Sequence, residues 1–124
     1  MRQDIPILID FDGVIRLGSK LASDAPEFLN FLHNENFPFF IITNSTRESS
    51  DDLKKILSGS GIGFNIDAMT TVDATIEYIK ENKLSVSVYC IENVRRCFKE
   101  FIDEKNPQAV VIGDLGTGWS YKIL

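Results

Sequence analysis

Ile7-Leu8-Ile9-Asp10-Phe11-Asp12-Gly13-Val14 is the stretch whose reading decides the fold. Three aliphatic residues followed by acid, aromatic and acid describe a buried strand that delivers carboxylates at its own C-terminal end. In extended backbone, residues i and i+2 project to the same side, so Asp10 and Asp12 face one small volume. Paired acids in that place prepare a cation site, a nucleophile, or both. The near-continuous apolarity of residues 5–9 further predicts a strand covered on both faces, as in parallel sheets.

Working outward, residues 13–24 are polar and contain glycine, which predicts a loop or small flap over the strand end. Ser23-Asp24-Ala25-Pro26-Glu27 announces a helix start, and Phe28, Leu29, Phe31 and Leu32 supply its buried face. A second apolar run, residues 37–42, stops abruptly at Thr43-Asn44-Ser45. Ser45-Thr46-Arg47-Glu48 fits a capping box for a helix carrying Leu53, Ile56 and Leu57. That helix is expected to stop near Gly59 or Gly61, with glycine in the left-handed cap position. Gly59, Gly61 and Gly63 follow a helix and lack the G-x-G-x-x-G spacing, so they read as a terminator and turn rather than a nucleotide loop. Beyond them the alternation repeats: a short strand at 66–71, a helix near 73–81, a strand at 86–91, a helix near 94–102 and a strand at 109–112. Strand and helix in turn, joined by right-handed crossovers, build a doubly wound parallel α/β sheet. Ligands bind outside the carboxyl ends of such strands, where Asp10, Asp12, Thr43, Asn44 and Ser45 arrive together.

The bulk composition narrows the function. A chain of 124 residues, 44% hydrophobic, has room for one domain, or one and part of another. A net charge of −5, with no basic cluster longer than Arg95-Arg96, argues against nucleic acid or an anionic membrane as partner. No signal-peptide pattern opens the sequence and no apolar stretch approaches the ~20 residues of a membrane span, so a cytoplasmic protein is expected. His33 is the sole histidine and falls at a helix end, which excludes a histidine triad by count. Cys90 and Cys97 match no zinc or redox spacing and read as buried thiols. Trp119 and Tyr121 are expected to pack in a core or at a sheet edge.

Hydrolysis of a phosphate ester needs the oxygens neutralised and a nucleophile in line. A carboxylate serves as that nucleophile, and Mg²⁺ is the hard cation that lets two anions meet. Asp10 as nucleophile and metal ligand, with Asp12 moving the proton, divides the labour coherently. The Thr43 hydroxyl and the backbone N–H groups of Asn44 and Ser45 are placed to form an anion pocket.

At these residues the sequence resembles the haloacid dehalogenase superfamily, whose first motif is D-x-D-G-[VT]-[IL] and whose second is a Thr or Ser ending the second strand. Asp10-Phe11-Asp12-Gly13-Val14-Ile15 matches the first without departure. Thr43-Asn44-Ser45-Thr46-Arg47, Gly61-Ile62, and Ala109-Val110-Val111-Ile112-Gly113-Asp114 leading to Trp119-Ser120-Tyr121 look like the NagD-type phosphatases, which carry a large α/β cap after the second motif. The resemblance implies a Rossmann-like core in residues 1–73 and the first part of an inserted cap in 74–124. It implies Asp10 as nucleophile and metal ligand, and Asp12 as general acid/base with its carbonyl on Mg²⁺. Thr43, Asn44, Ser45 and Gly13 become substrate-binding residues for a small phosphorylated metabolite.

The family also needs a Lys and an acidic pair following the cap, and the sequence reaches Tyr121-Lys122-Ile123-Leu124 before either. Lys122 is no substitute on position. The expectation is therefore an N-terminal portion with weak Mg²⁺ affinity and an open sheet edge that invites a homo-oligomer or pairing with another chain. The alternative is an inactive domain of this type that binds phosphate or a partner chain. A receiver-like signalling domain would need an acid ending the third strand, where Met69-Thr70-Thr71 stands instead.

Overall fold

In the computed structural model, which describes residues 4–123, the opening apolar stretch forms strand β1, Ile7–Asp10. A small antiparallel flap follows, β2 (Arg16–Leu17) with β3 (Lys20–Leu21). Next come α1 (Ala25–Asn34), β4 (Phe39–Thr43), α2 (Ser50–Ser58), β5 (Ala68–Thr70) and α3 (Thr71–Asn82). The remainder is β6 (Val86–Tyr89), α4 (Glu92–Arg95) running straight into a 3₁₀ helix at Arg96–Phe101, then β7 (Ala109–Ile112) and a 3₁₀ turn at Gly116–Gly118. Strands β1, β4 and β5 form one parallel sheet in that order, with Ile9 beside Ile41 and Ile41 beside Ala68. Strands β6 and β7 form a second parallel pair. The parallel α/β class is as the alternation of elements predicts.

Coverage of the first sheet departs from expectation. Its strands step in one direction, so right-handed crossovers place both connecting helices on the same face. Ile9 and Ile41 pack there with Leu29 and Leu32 of α1 and Leu53 and Leu57 of α2, joined by Phe11 and Ile15. The alternate residues Leu8, Ile42 and Met69 point the other way, and Leu8 is 65% exposed. Among the described residues that face is bare, so β1 is covered on one side rather than two.

The second cluster is separate. Val72 and Ile79 of α3 meet Val86 and Val88 of β6, with Val94 and Phe98 closing over them. Ser87, also buried, satisfies its hydroxyl by donating to Glu104 at 3.0 Å. The helix expected over 94–102 begins at Glu92 and tightens to 3₁₀ from Arg96. In that geometry residues three apart eclipse, which turns both Phe98 and Phe101 toward β6.

Several caps differ from the sequence reading. The box that starts α2 is Ser49 with Asp52, four residues past the expected Ser45 with Glu48. Gly59 ends α2 in right-handed geometry at φ −64°, and the positive φ falls at Gly61, +85°. An Ala at Gly61 would be strained there. Trp119 and Tyr121 pack in no core, Tyr121 being 97% exposed. Cys90 is buried and Cys97 half-buried, both as free thiols. His33 ends α1 stacked on Phe64 at 3.9 Å.

Candidate functional site

Each strand of the first sheet stops at its carboxyl end for a local reason, and the stops bring the polar residues together. Asp10 is the last residue of β1, opposite Ile42, on the exposed face. Among the described residues its carboxylate accepts no hydrogen bond and joins no ion pair. Phe11 N–H donates to the Ile42 carbonyl at 3.1 Å, and the Phe11 ring, fully buried, anchors the exit. The chain then turns at Gly13, φ +88°, whose N–H donates to the Arg16 carbonyl at 2.7 Å. That left-handed φ is the physical need behind the glycine after the second acid.

Asp12 therefore emerges beside the end of β4. The Thr43 hydroxyl donates to Asp12 Oδ2 at 3.2 Å and accepts from the Ser45 N–H at 3.2 Å. Arg16 Nε donates to Asp12 Oδ1 at 2.7 Å. Asn44 is exposed, and Ser45 Oγ accepts from the Arg47 N–H at 3.3 Å. Asp12 and Thr43 are thus in direct contact, with Asp10, Gly13, Asn44 and Ser45 at the same edge. The Ser45 N–H is directed at Thr43 and α2 begins only at Ser50, so the helix start expected beside Ser45 lies four residues further on.

Sequence reasoning missed Arg16 and Glu48. The Arg16 guanidinium holds Glu48 end-on, Nη1 to Oε1 at 2.6 Å and Nη2 to Oε2 at 2.7 Å, and lies over the Phe11 ring at 4.9 Å. Hydrogen bonds to Glu48 and then Asp12 push the Arg16 pKa above its ordinary value, so the charge is permanent. The available signal was Arg16 four residues past Asp12. In sequence Glu48 stands at the acid position of a capping box, which hides its long-range role.

The loop after β4 also reaches the start of α3 and the segment that follows β7. Thr71 Oγ1 donates to the Ser45 carbonyl at 2.6 Å, and Arg47 pairs with Asp114 at 3.3 Å. The Asp73 carboxylate caps α3 through Thr70 and accepts from Ser50 N–H and Oγ at 3.0 and 2.9 Å. One acid thus serves two helix N-termini, where it is electrostatically favoured. Pockets of 210 and 290 Å³ lie beside Lys54 and Ile66 and beside His33 and Asp67, away from the acids, which sit on an open edge.

The donor set suits a hard cation. Asp10 offers a carboxylate with no described partner, and the Asp12 backbone carbonyl accepts no hydrogen bond among the described residues. Oxygen donors of this kind fit Mg²⁺ with water completing its shell. No cluster of three or more His, Cys, Asp or Glu side chains that could hold a metal occurs among the described residues.

A parallel α/β sheet with paired acids at its first strand end narrows the class, and comparison with known proteins supplies the family. The model of the haloacid dehalogenase-like hydrolases matches residues 7–105, and the chain belongs to that family. It is 31% identical over 85 residues to an acid sugar phosphatase of Staphylococcus saprophyticus, covering 68% of this chain and 33% of the relative. It is 30% identical over 112 residues to the 5'-nucleotidase YutF of Bacillus subtilis, covering 86% and 43%. NagD from Escherichia coli K-12 shares the fold, with a TM-score of 0.72 at 20% identity, over 95% of this chain and 48% of that one. The chain spans between a third and a half of the length of these proteins. No helix among the described residues is long and apolar enough to cross a membrane.

Proposed function

We propose that this chain carries the nucleophile half of a Mg²⁺-dependent phosphatase acting on small phosphorylated metabolites. The observation that carries the reading is the Asp12–Thr43 hydrogen bond at the same sheet edge as the Asp10 carboxylate, which has no partner among the described residues. Asp10 Oδ attacks phosphorus and the ester P–O bond breaks, while Asp12 gives its proton to the leaving oxygen. Water then attacks the aspartyl-phosphate, Asp12 takes the water proton, and the P–O bond to Asp10 breaks to release phosphate. Thr43, with Asn44, Ser45 and Gly13, orients the phosphate. Mg²⁺ held by Asp10 and the Asp12 carbonyl would supply charge neutralisation.

In this reading residues 1–73 are the catalytic core and 74–124 the first part of a cap, and the protein is cytoplasmic. The relatives' names point to sugar phosphates and nucleoside 5'-monophosphates as the substrate classes to try. The bare face of Leu8, Ile42 and Met69 favours a second reading, in which the chain binds phosphate or a partner chain without turnover. Hydrolysis of 4-nitrophenyl phosphate with Mg²⁺, beside Asp10→Asn, separates the two. Turnover abolished by Asp10→Asn supports the phosphatase. Folded protein inert with and without the substitution favours the binding reading.

A further inference from the structure

We propose that Arg16, clamped by Glu48, is a positioning residue that fixes the Asp12 carboxylate for proton transfer. The inference rests on the phosphatase reading for its chemistry but on the geometry of the flap for its substance.

The clamp is built from the backbone upward. Ile15 and Arg16 N–H groups both donate to the Phe11 carbonyl, at 3.0 and 2.8 Å, and Gly13 N–H returns to the Arg16 carbonyl. Arg16 thus leaves a closed turn, and its side chain, 17% exposed, lies across the buried Phe11 ring. Its Nε reaches Asp12 while its two Nη atoms grip both oxygens of Glu48, 32 positions away. The two loops so tied are those that carry Asp12 and Thr43.

The consequence falls on Asp12. Arg16 holds Oδ1 and the Thr43 hydroxyl holds Oδ2, so both oxygens are anchored and the side chain is confined to one orientation. A lysine cannot replace this arrangement, because a point charge on a flexible stem cannot hold Asp12 from the side and Glu48 from the end at once. Among the described residues Glu48 makes no hydrogen bond to Asp12, and it acts through Arg16.

A structural tie and a positioning device differ in what they do to different esters. A 4-nitrophenolate leaves without a proton, whereas an alkoxide needs one. Arg16→Lys and Glu48→Ala in the full chain are each expected to lower kcat/KM, which reports ester cleavage and not the later hydrolysis shared by both substrates, about tenfold more on propyl phosphate than on 4-nitrophenyl phosphate. Equal losses on both esters overturn the proposal. A second measurement is independent of turnover: NMR couplings between Hα and Hβ of Asp12 should report one rotamer in the parent chain and averaging in both variants. Averaging in a parent chain that hydrolyses neither ester would end both ideas. A fixed parent rotamer released by the variants, without turnover, keeps the positioning role while the phosphatase reading fails. Couplings unchanged by both variants overturn the positioning role whatever the turnover. Glu48→Ala lies outside the β1 turn and keeps the test available if Arg16→Lys fails to fold.

Discussion

The two sheets contain closely similar units, β1 beside β4 and β6 beside β7, each a parallel pair four residues in register. They differ in what happens past the last rung. Beyond β6 and β7 the backbones stay zipped, with Gly113 N–H to the Tyr89 carbonyl at 2.8 Å and Ile91 N–H to the Asp114 carbonyl at 2.9 Å. A Cβ at Gly113 would meet Cys90 Cβ at 3.0 Å, so the two backbones run close together there. Beyond β1 and β4 the chains diverge after a single bond from Phe11, and side chains fill the opening: Asp10, Asp12, Thr43 and Arg16. Topology makes both edges eligible for a site, and the loops diverge at the first, the edge that the proposed function uses.

The comparison is broken most directly at its polar ends. On the proposed phosphatase reading, with Asp10 as nucleophile, Asp10→Asn should reduce Mg²⁺-dependent ester hydrolysis at least about a thousandfold. Cys90→Ala, at the corresponding end of β6, should leave the rate within about twofold. Burial pushes the Cys90 thiol above its ordinary pKa, so it is a neutral packing group at pH 7. A loss in Cys90→Ala as large as in Asp10→Asn would mean that both edges serve one site.

The faces of the first sheet sharpen the contrast next. Ile9→Ala should cost about 3 kcal/mol in urea unfolding, because Ile9 lies within the cluster that α1 and α2 cover. Leu8→Ala, one residue away on the bare face, should cost less than about 0.5 kcal/mol. A Leu8 penalty approaching that of Ile9, and rising with protein concentration, would show the bare face covered by a second copy.

Asp73 joins the two regions. Asp73→Ala removes the acceptor for Ser50 and for Thr70 together, and should destabilise by about 1–2 kcal/mol. Because the lost bonds span α2 and α3, thermal unfolding should also separate into less cooperative steps by calorimetry. A single sharp transition at an unchanged temperature would mean that the packing of α3 alone couples the sheets.

The sequence carried these features unevenly. The element order and the convergence of Asp10, Asp12 and Thr43 were readable, because strand periodicity and the D-x-D-G pattern are local. The bare face was not, because coverage depends on which direction successive strands are added, and apolar residues in a strand read alike on either side. The cap of α2 is ambiguous in sequence because Ser45 and Ser49 each precede an acid by three residues; Glu48 is drawn away by Arg16, and Asp52 remains for Ser49. Arg16 itself gave no periodic signal, since its partners stand 4 and 32 residues away.

That competition between two acids leads to the smallest of the effects. Burial alone would push the Asp52 carboxyl up, but bonds from the Ser49 N–H and hydroxyl and from Asn93, with the nearby Lys55 charge, hold it below the ordinary value. A carboxylate with a folded pKa below its unfolded one, about 4, adds stability above the unfolded value and loses it as pH falls through the folded value. Asp52→Asn should therefore cost about 0.5–1 kcal/mol at pH 7, from the cap and the helix N-terminus. The gap between parent and variant should narrow below pH about 4 and close once the parent carboxyl is protonated. Chemical denaturation at stepped pH measures it. Because Asn93, which precedes the second sheet's 3₁₀ helix, donates to Asp52 at 3.3 Å, Asn93→Ala should shrink the same gap. A gap independent of pH down to 2 would assign the stabilisation to a neutral hydrogen bond, and the charge at α2 would then play no part in joining the two regions.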